Sequence, residues 1–270
     1  MGVLSQVRAL HRGLDILEFL AANGPSSLHR LHVGTRLPKS SLRRLLATLV
    51  ERRFLRVGLS DGMYRSNIAT PLGVNAQENV RIGRLVEVAR PHMLDLMQRV
   101  KWPNDLHIFA NGRMRIIEST HGQSPFAGQH IHVETELNMF VAASGLAYLA
   151  CLSDAQCIAI MEKCRPDAFA SPEHYGVTAR GLLRDLADVR SVGFAERKTS
   201  QLRPDNRRAI AVAIRQEDEP VGALAIAWPK QLMTTSEFAT THLPALIAAA
   251  SAISLKLSAR SEIYVTLRLG

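Results

Sequence analysis

Cysteine is scarce: Cys151, Cys157 and Cys164 are the three in 270 residues. They are too few for a disulfide framework, and their spacing fits no zinc pattern. Reduced thiols in a cytoplasmic protein are the expectation. The N-terminus lacks an apolar h-region, so no signal peptide is expected. The most apolar stretch, Leu243 to Leu257, is punctuated by Ser and Lys. It reads as an amphipathic helix too short to span a membrane. Catalytic signatures are also missing: there is no Gly-rich phosphate loop, no GxSxG elbow and no HExxH. His121, His130 and His132, with Glu134 and Glu136 just after, match no named ligand spacing and read as a solvated or packed cluster. No catalytic residue, metal or cofactor is therefore expected. The acidic run Glu217-Asp218-Glu219 before Pro220 reads as a polar hairpin turn.

Negative charge is short at one end only. Residues 1–67 hold 11 Lys+Arg against 4 Asp+Glu, whereas residues 68–270 hold 22 against 20. Most of the net +9 therefore sits in the first quarter, as expected when one domain meets phosphates and the other does not.

The pattern in that quarter is specific. Val7, Leu10, Leu14 and Leu17 recur at helical spacing over 6–22, and Asn23-Gly24-Pro25 stops the helix. Ser27 is a plausible N-cap for a short second helix carrying Leu28, Leu31 and Val33. Gly34 to Pro38 makes a turn, and Pro38 suits the first turn of a third helix over about 39–53. There Leu42, Leu45, Leu46 and Leu49 form an i, i+3, i+4, i+7 stripe. Ser40, Arg43, Arg44, Ala47 and Thr48 fall largely off it, with Lys39 and Ser41 at the helix start. Arg can bind guanine bidentately, hydroxyls can meet phosphates or base edges, and a helix start favours phosphate. Phe54–Val57, then Ser60-Asp61-Gly62, then Met63–Arg65 reads as strand, turn, strand. Three helices and a hairpin predict a winged helix-turn-helix, with the third helix in the major groove and Arg65 on the wing touching DNA.

Behind it, residues 78–90 read as a helix that Pro91 breaks or restarts. Strands then alternate with helices. Leu106–Ala110 and Met114–Glu118 form a hairpin through Asn111-Gly112, and Phe194–Lys198, Ala209–Arg215 and Val221–Trp228 read as further strands. Gly145–Leu152, Asp154–Cys164, Thr178–Val192 and Thr234–Ala259 read as helices. The fold class is α+β: a winged helix-turn-helix over 1–75, a helix over 76–100 and an α/β domain over 101–270.

Two segments carry a family resemblance. Val7-Arg8-Ala9-Leu10-His11-Arg12-Gly13-Leu14-Asp15-Ile16-Leu17 resembles the opening helix of the IclR family of bacterial transcriptional regulators. Leu37-Pro38-Lys39-Ser40-Ser41-Leu42-Arg43-Arg44-Leu45-Leu46-Ala47-Thr48-Leu49 resembles its recognition helix. Trp102-Pro103-Asn104-Asp105, the run Ala143–Ala150 and His242-Leu243-Pro244-Ala245-Leu246 resemble the branch that activates phenylpropionate catabolism. The resemblance implies a linker/dimerisation helix over 76–100, a GAF-like effector-binding domain over 101–270, a dimer or dimer of dimers, and a palindromic operator. It also implies an effector pocket with apolar walls at Phe126 and Leu137. Helix-opening amides fall at Ala143 and Ser144, and sheet positions at Arg197, Ala209, Ala225 and Ala227. The three alanines stand where glyoxylate- and pyruvate-sensing members carry Cys or Ser, and Arg197 where they carry an acid. A roomier, less polar pocket suits an aromatic carboxylate, and Arg197 could pair with its charge. The expected protein is a DNA-binding regulator, an activator of an aromatic-acid operon. A constitutive DNA-binding protein with a degenerate sensor, and a DNA-tethered enzyme, stay open as alternatives.

Overall fold

The computed structural model describes residues 7–68, 76–126, 133–198 and 206–266. It divides into two compact units, Met1–Glu87 and Val88–Gly270.

In the first unit, α1 (Arg8–Asn23), α2 (Leu28–Thr35) and α3 (Lys39–Glu51) precede β1 (Leu55–Val57) and β2 (Tyr64–Ser66). Leu17, Leu20, Leu31, Leu42, Leu46 and Leu55 pack with Ile16 into one core. Ser27 caps α2 by accepting the Arg30 amide at 3.2 Å, satisfying a donor that the helix start leaves without a backbone partner. Arg36, in the left-handed region at φ 56°, turns the chain between α2 and α3. Pro38 is the N-cap of α3 (ψ 141°) rather than a residue of its first turn, and its carbonyl accepts the Leu42 amide. The first helix forms where expected, but Val7, Leu10 and Leu14 are exposed, and the stripe that enters the core is Ile16, Leu17 and Leu20.

α4 (Ala76–Val100) runs through Pro91 without a break, where the sequence suggested an interruption. Pro91 costs the helix one N–H donor. Met93, Leu96, Met97 and Val100, on the turns that follow, are all buried. Burial of that apolar stripe offsets the lost bond.

The second unit is built on an antiparallel sheet of six strands in the order β5-β4-β3-β8-β7-β6. Its strands are β3 (Asn104–Ala110), β4 (Arg113–Ser119), β5 (Glu136–Asn138), β6 (Ala195–Glu196), β7 (Arg207–Gln216) and β8 (Glu219–Pro229). Asn111 and Gly112, both at positive φ, make the two-residue β3–β4 turn. Glu217 and Asp218 turn β7 into β8, so the acidic run is the expected hairpin. The helices are α5 (Ala143–Ala150), α6 (Asp154–Cys164), α7 (Ala179–Val192) and α8 (Thr235–Thr266).

β7 and β8 sort their side chains by size. Ile210, Ile214, Leu224, Ile226 and Trp228 alternate with Ala209, Ala211, Ala223 and Ala225. The large residues lie on the face that α8 covers, where Trp228 stacks on Phe238 with ring centroids 3.7 Å apart. The alanines pack with Ala143, Leu146 and Ala147 of α5 and with Leu182 and Leu186 of α7. α8 is longer than the sequence suggested. Its Thr235–Ala259 stretch has the length and hydropathy of a membrane span, but it lays Leu246, Ala250, Ile253 and Leu257 into the unit's interior.

Candidate functional site

The exposed face of α3 is the first candidate. Leu42 and Leu46 are buried, Leu45 and Leu49 pack at the edge of the core, and a 100° helical step turns the intervening residues outward. Lys39, Ser40, Arg43, Arg44 and Thr48 are exposed and Ser41 is half-buried. The Thr48 hydroxyl donates back to the Arg44 carbonyl at 3.1 Å. One helix face thus offers an ammonium, two guanidiniums and two hydroxyls, a set suited to phosphates and guanine edges.

Arg65 departs from expectation. It is 5% exposed, and its guanidinium forms a two-point ion pair with Asp61, at 3.0 and 2.7 Å. Partial burial pushes the Asp61 carboxyl up, but the Arg65 guanidinium and the Met63 amide it accepts together hold it below the usual range. The expected Asp-Gly turn is in fact a longer loop over residues 58–63, closed by the Gly58 amide on the Met63 carbonyl. Arg65 therefore braces the wing from inside instead of projecting from it. Arg56, opposite it in register, is likewise buried, donating to the Ser66 carbonyl and to Asn67.

The second candidate is the alanine face of the sheet. Ala143, Ala209 and Ala225 are buried there in one cluster, with Leu137 and Ala227 packed at its margin. α5 opens directly over this surface. Its N-cap, Ala142, has no side-chain hydrogen bond to give, and the buried Ser144 Oγ has no partner. A Cβ on Gly145 would stand 2.1 Å from the Met139 carbonyl oxygen, so α5 starts hard against the preceding turn. Arg197 is half-buried and its amide donates to the Ala209 carbonyl at 2.9 Å, which sets it beside the alanines at the sheet's β6 side.

Phe126 is not brought to this group. It is 52% exposed and stacks on Trp102 at 4.7 Å, and Trp102 in turn meets Phe238 of α8. That places it with the aromatic residues of the α8 side, away from Ala143 and Ser144. His130 and His132 lie outside the described residues. Among the described residues, no three His, Cys, Asp or Glu gather as a metal site would require. Burial pushes the Cys157 thiol up to about 11, so this cysteine is a protonated core residue.

Sequence reasoning missed the polar residues of β3. Asp105 pairs in register with Ala225 and His107 with Ala223, so both project on the alanine side. Asp105 is 3% exposed, accepts a hydrogen bond from Ser119, and its Oδ1 has no partner. Burial raises its carboxyl to about 6 and pushes the His107 imidazole down to about 4, leaving it neutral.

A winged helix-turn-helix joined in sequence to a helix-covered antiparallel sheet defines a DNA-binding regulator with a second, α/β domain. Residues 9–58 match the IclR helix-turn-helix domain, and residues 78–255 match the C-terminal domain of bacterial IclR transcriptional regulators. The chain belongs to the IclR family. It is 25% identical to the acetate operon repressor of Salmonella typhimurium over 260 residues, covering 91% of this chain and 88% of that one. Among solved structures it resembles a transcriptional regulator from Rhodococcus sp. RHA1 (TM-score 0.57, 23% identity, covering 94% of this chain and 99% of that one). It also resembles an IclR homolog from Microbacterium hydrocarbonoxydans complexed with 4-hydroxybenzoate (TM-score 0.51, 23% identity, covering 93% and 99%). Family membership makes this chain a transcriptional regulator with a helix-turn-helix DNA-binding domain, not an enzyme.

Proposed function

We propose that this regulator reads a specific, palindromic operator with α3 and answers to a small aromatic carboxylate bound on the alanine face beneath the start of α5. The observation that carries the effector reading is the set of alanines at 209, 225 and 227, facing a helix start with a buried hydroxyl. A floor of small side chains suits a ring, and the first amides of a helix attract a carboxylate. Arg197 is the cation on this face assigned to the carboxylate. Lys39, Ser40, Ser41, Arg43, Arg44 and Thr48 are the proposed DNA contacts. The relative solved with 4-hydroxybenzoate supports a one-ring acid as a ligand type.

The finer reading is an activator of an aromatic-acid catabolic operon, acting in the cytoplasm as a dimer or dimer of dimers. The named Salmonella relative is a repressor, so the sign of regulation rests on the branch resemblance alone. The effector must bind two arrangements of the protein unequally to change DNA affinity.

The test is fluorescence-anisotropy binding of the full chain to DNA upstream of its own gene and neighbouring genes. Random DNA is the control, at physiological salt, with and without benzoate- and phenylpropionate-type acids. Tight specific binding that shifts with one acid is expected. Specific binding that no acid changes would favour a constitutive regulator and remove the effector site. Equal weak binding to all DNA would overturn the assignment of α3 as a reader.

A further inference from the structure

A carboxylate removed from water needs a partner for each of its oxygens, and a buried oxygen without one marks a missing hydrogen-bond donor. Asp105 is in that position. Its neighbours in register across the sheet are Ser119 on β4 and Ala225 on β8, and Ala225 in turn pairs with Ala211 on β7. All four residues are buried. Ser119 serves one carboxylate oxygen, and the alanines offer the other nothing. The charged residues on this face of β6 and β7 are cations: Arg197, beside Ala209, and Arg207, which acts on Asp105 through its charge. The face is therefore polarised, with guanidiniums on the β6–β7 side, an alanine floor, and a buried acceptor on β3. At a strand spacing of about 4.8 Å, Asp105 lies roughly 10 Å from the β7 column, within the reach of a one-ring acid.

We propose that Asp105 is a specificity-determining residue of the effector site: it accepts a hydrogen bond from a hydroxyl or amino group at the end of the effector remote from its carboxylate. This rests on the reading of the alanine face as the effector site. The carboxylate lies toward Arg197 and the start of α5, the ring lies over the alanines, and the donor reaches Asp105 Oδ1. A site built to pair with a ligand donor discriminates strongly against the analogue that lacks one, because the buried acceptor is then left unsatisfied. Burial, by holding the Asp105 carboxyl near 6, makes the penalty for an unpaired charge real at neutral pH.

Calorimetric titration of the full chain with benzoate, 4-hydroxybenzoate and 4-aminobenzoate tests this. The same is done with 3-phenylpropionate and its ring-hydroxylated and ring-aminated forms. Wild type is expected to prefer a donor-bearing acid over its parent by at least about tenfold in one series. Asp105→Asn, folded by circular dichroism, is expected to bring that preference to within about twofold, and Asp105→Ala to do the same. Which donor, hydroxyl or amino, gives the preference identifies the effector subclass. A preference that survives both substitutions overturns the role of Asp105 while leaving the effector site in place. Acid binding with no preference in wild type has the same consequence, with an ordered water as the partner of Oδ1. The effector-site reading is separately checked by Ala225→Leu, which fills the floor. If acids bind wild type and this variant alike, the site lies elsewhere and the proposal falls with it; if no acid binds wild type, both fall.

Discussion

Replacing Asp105 by Asn should stabilise the second unit, and increasingly so as pH rises. The folded carboxyl titrates near 6 and the unfolded one near 3.8. Well below 3.8 both states hold the proton and burial of the group costs nothing extra. Between the two values the folded chain keeps a proton that the unfolded chain has lost, so stability falls as pH rises. Above about 6 both states are ionised and the folded state carries the full cost. At 1.36 kcal/mol per pH unit this amounts to about 3 kcal/mol. Asn never ionises and its oxygen can still accept from Ser119, so its own cost is independent of pH. The stability difference between variant and wild type should grow by about 2 kcal/mol from about pH 4.5 to about pH 7.5. For a protein of this size that widens the gap in Tm by roughly 4–8 °C, read by thermal unfolding at constant ionic strength. His107 works in the opposite direction: burial lowers its pKa to about 4, and stability is lost as pH falls from 6.5 toward that value. It is common to both proteins and cancels in the comparison. A gap that stays flat with pH would mean that Asp105 is hydrated or paired in solution, and the electrostatic reasoning would fail.

Three further substitutions probe other parts of the molecule. Arg44→Ala should weaken operator binding by about 1–3 kcal/mol while leaving affinity for random DNA nearly unchanged if Arg44 reads a base; equal losses on both would make it a phosphate contact. Arg197→Ala should raise the effector Kd in calorimetric titration, and an unaltered Kd would remove Arg197 from the site. Gly145→Ala would drive a methyl to within 2.1 Å of the Met139 carbonyl oxygen, so a loss of about 1–3 kcal/mol or more is expected in thermal unfolding; a variant of wild-type Tm would show that α5 can move away from that turn.

The winged helix-turn-helix was legible because its helices and its recognition face follow one period. The Leu42–Leu49 stripe fixes which side of α3 enters the core, and so which side carries Arg43 and Arg44. Periodicity says less about Arg65. In a strand only three residues long, neither alternation nor charge tells an arginine that projects from the wing from one that folds back onto Asp61. That outcome depends on a loop over residues 58–63 longer than the Asp-Gly pair suggests. Val7, Leu10 and Leu14 mislead in another way. They share the helical period of α1, but a period shows only that apolar residues line up, not that anything covers them.

The six-stranded sheet makes the same point about polarity. Asp105, His107 and Phe109 alternate with apolar neighbours along β3, a pattern that in a half-buried strand puts polar groups in water. Here α5 and α7 cover the face they occupy, and Phe109 on the same side stacks on Tyr148 of α5. A carboxylate and an imidazole are thus enclosed by helices whose sequence distance from β3 gives no hint of the contact. In the sequence, Ala209, Ala225 and Ala227 stand out only against the family pattern, as departures from Cys and Ser. Register gives them a meaning of their own. Pairing joins Ala209 to Ala227, and Ala211 to Ala225 and then to Asp105, so small residues on two strands form one continuous surface ending at a buried acid on a third. The opposite face carries larger side chains, Ile210, Ile226 and Trp228. The proposed effector site accounts for both features at once: small side chains suit a ring, and a carboxylate that must bear the cost of burial suits a guest that brings it a hydrogen-bond donor.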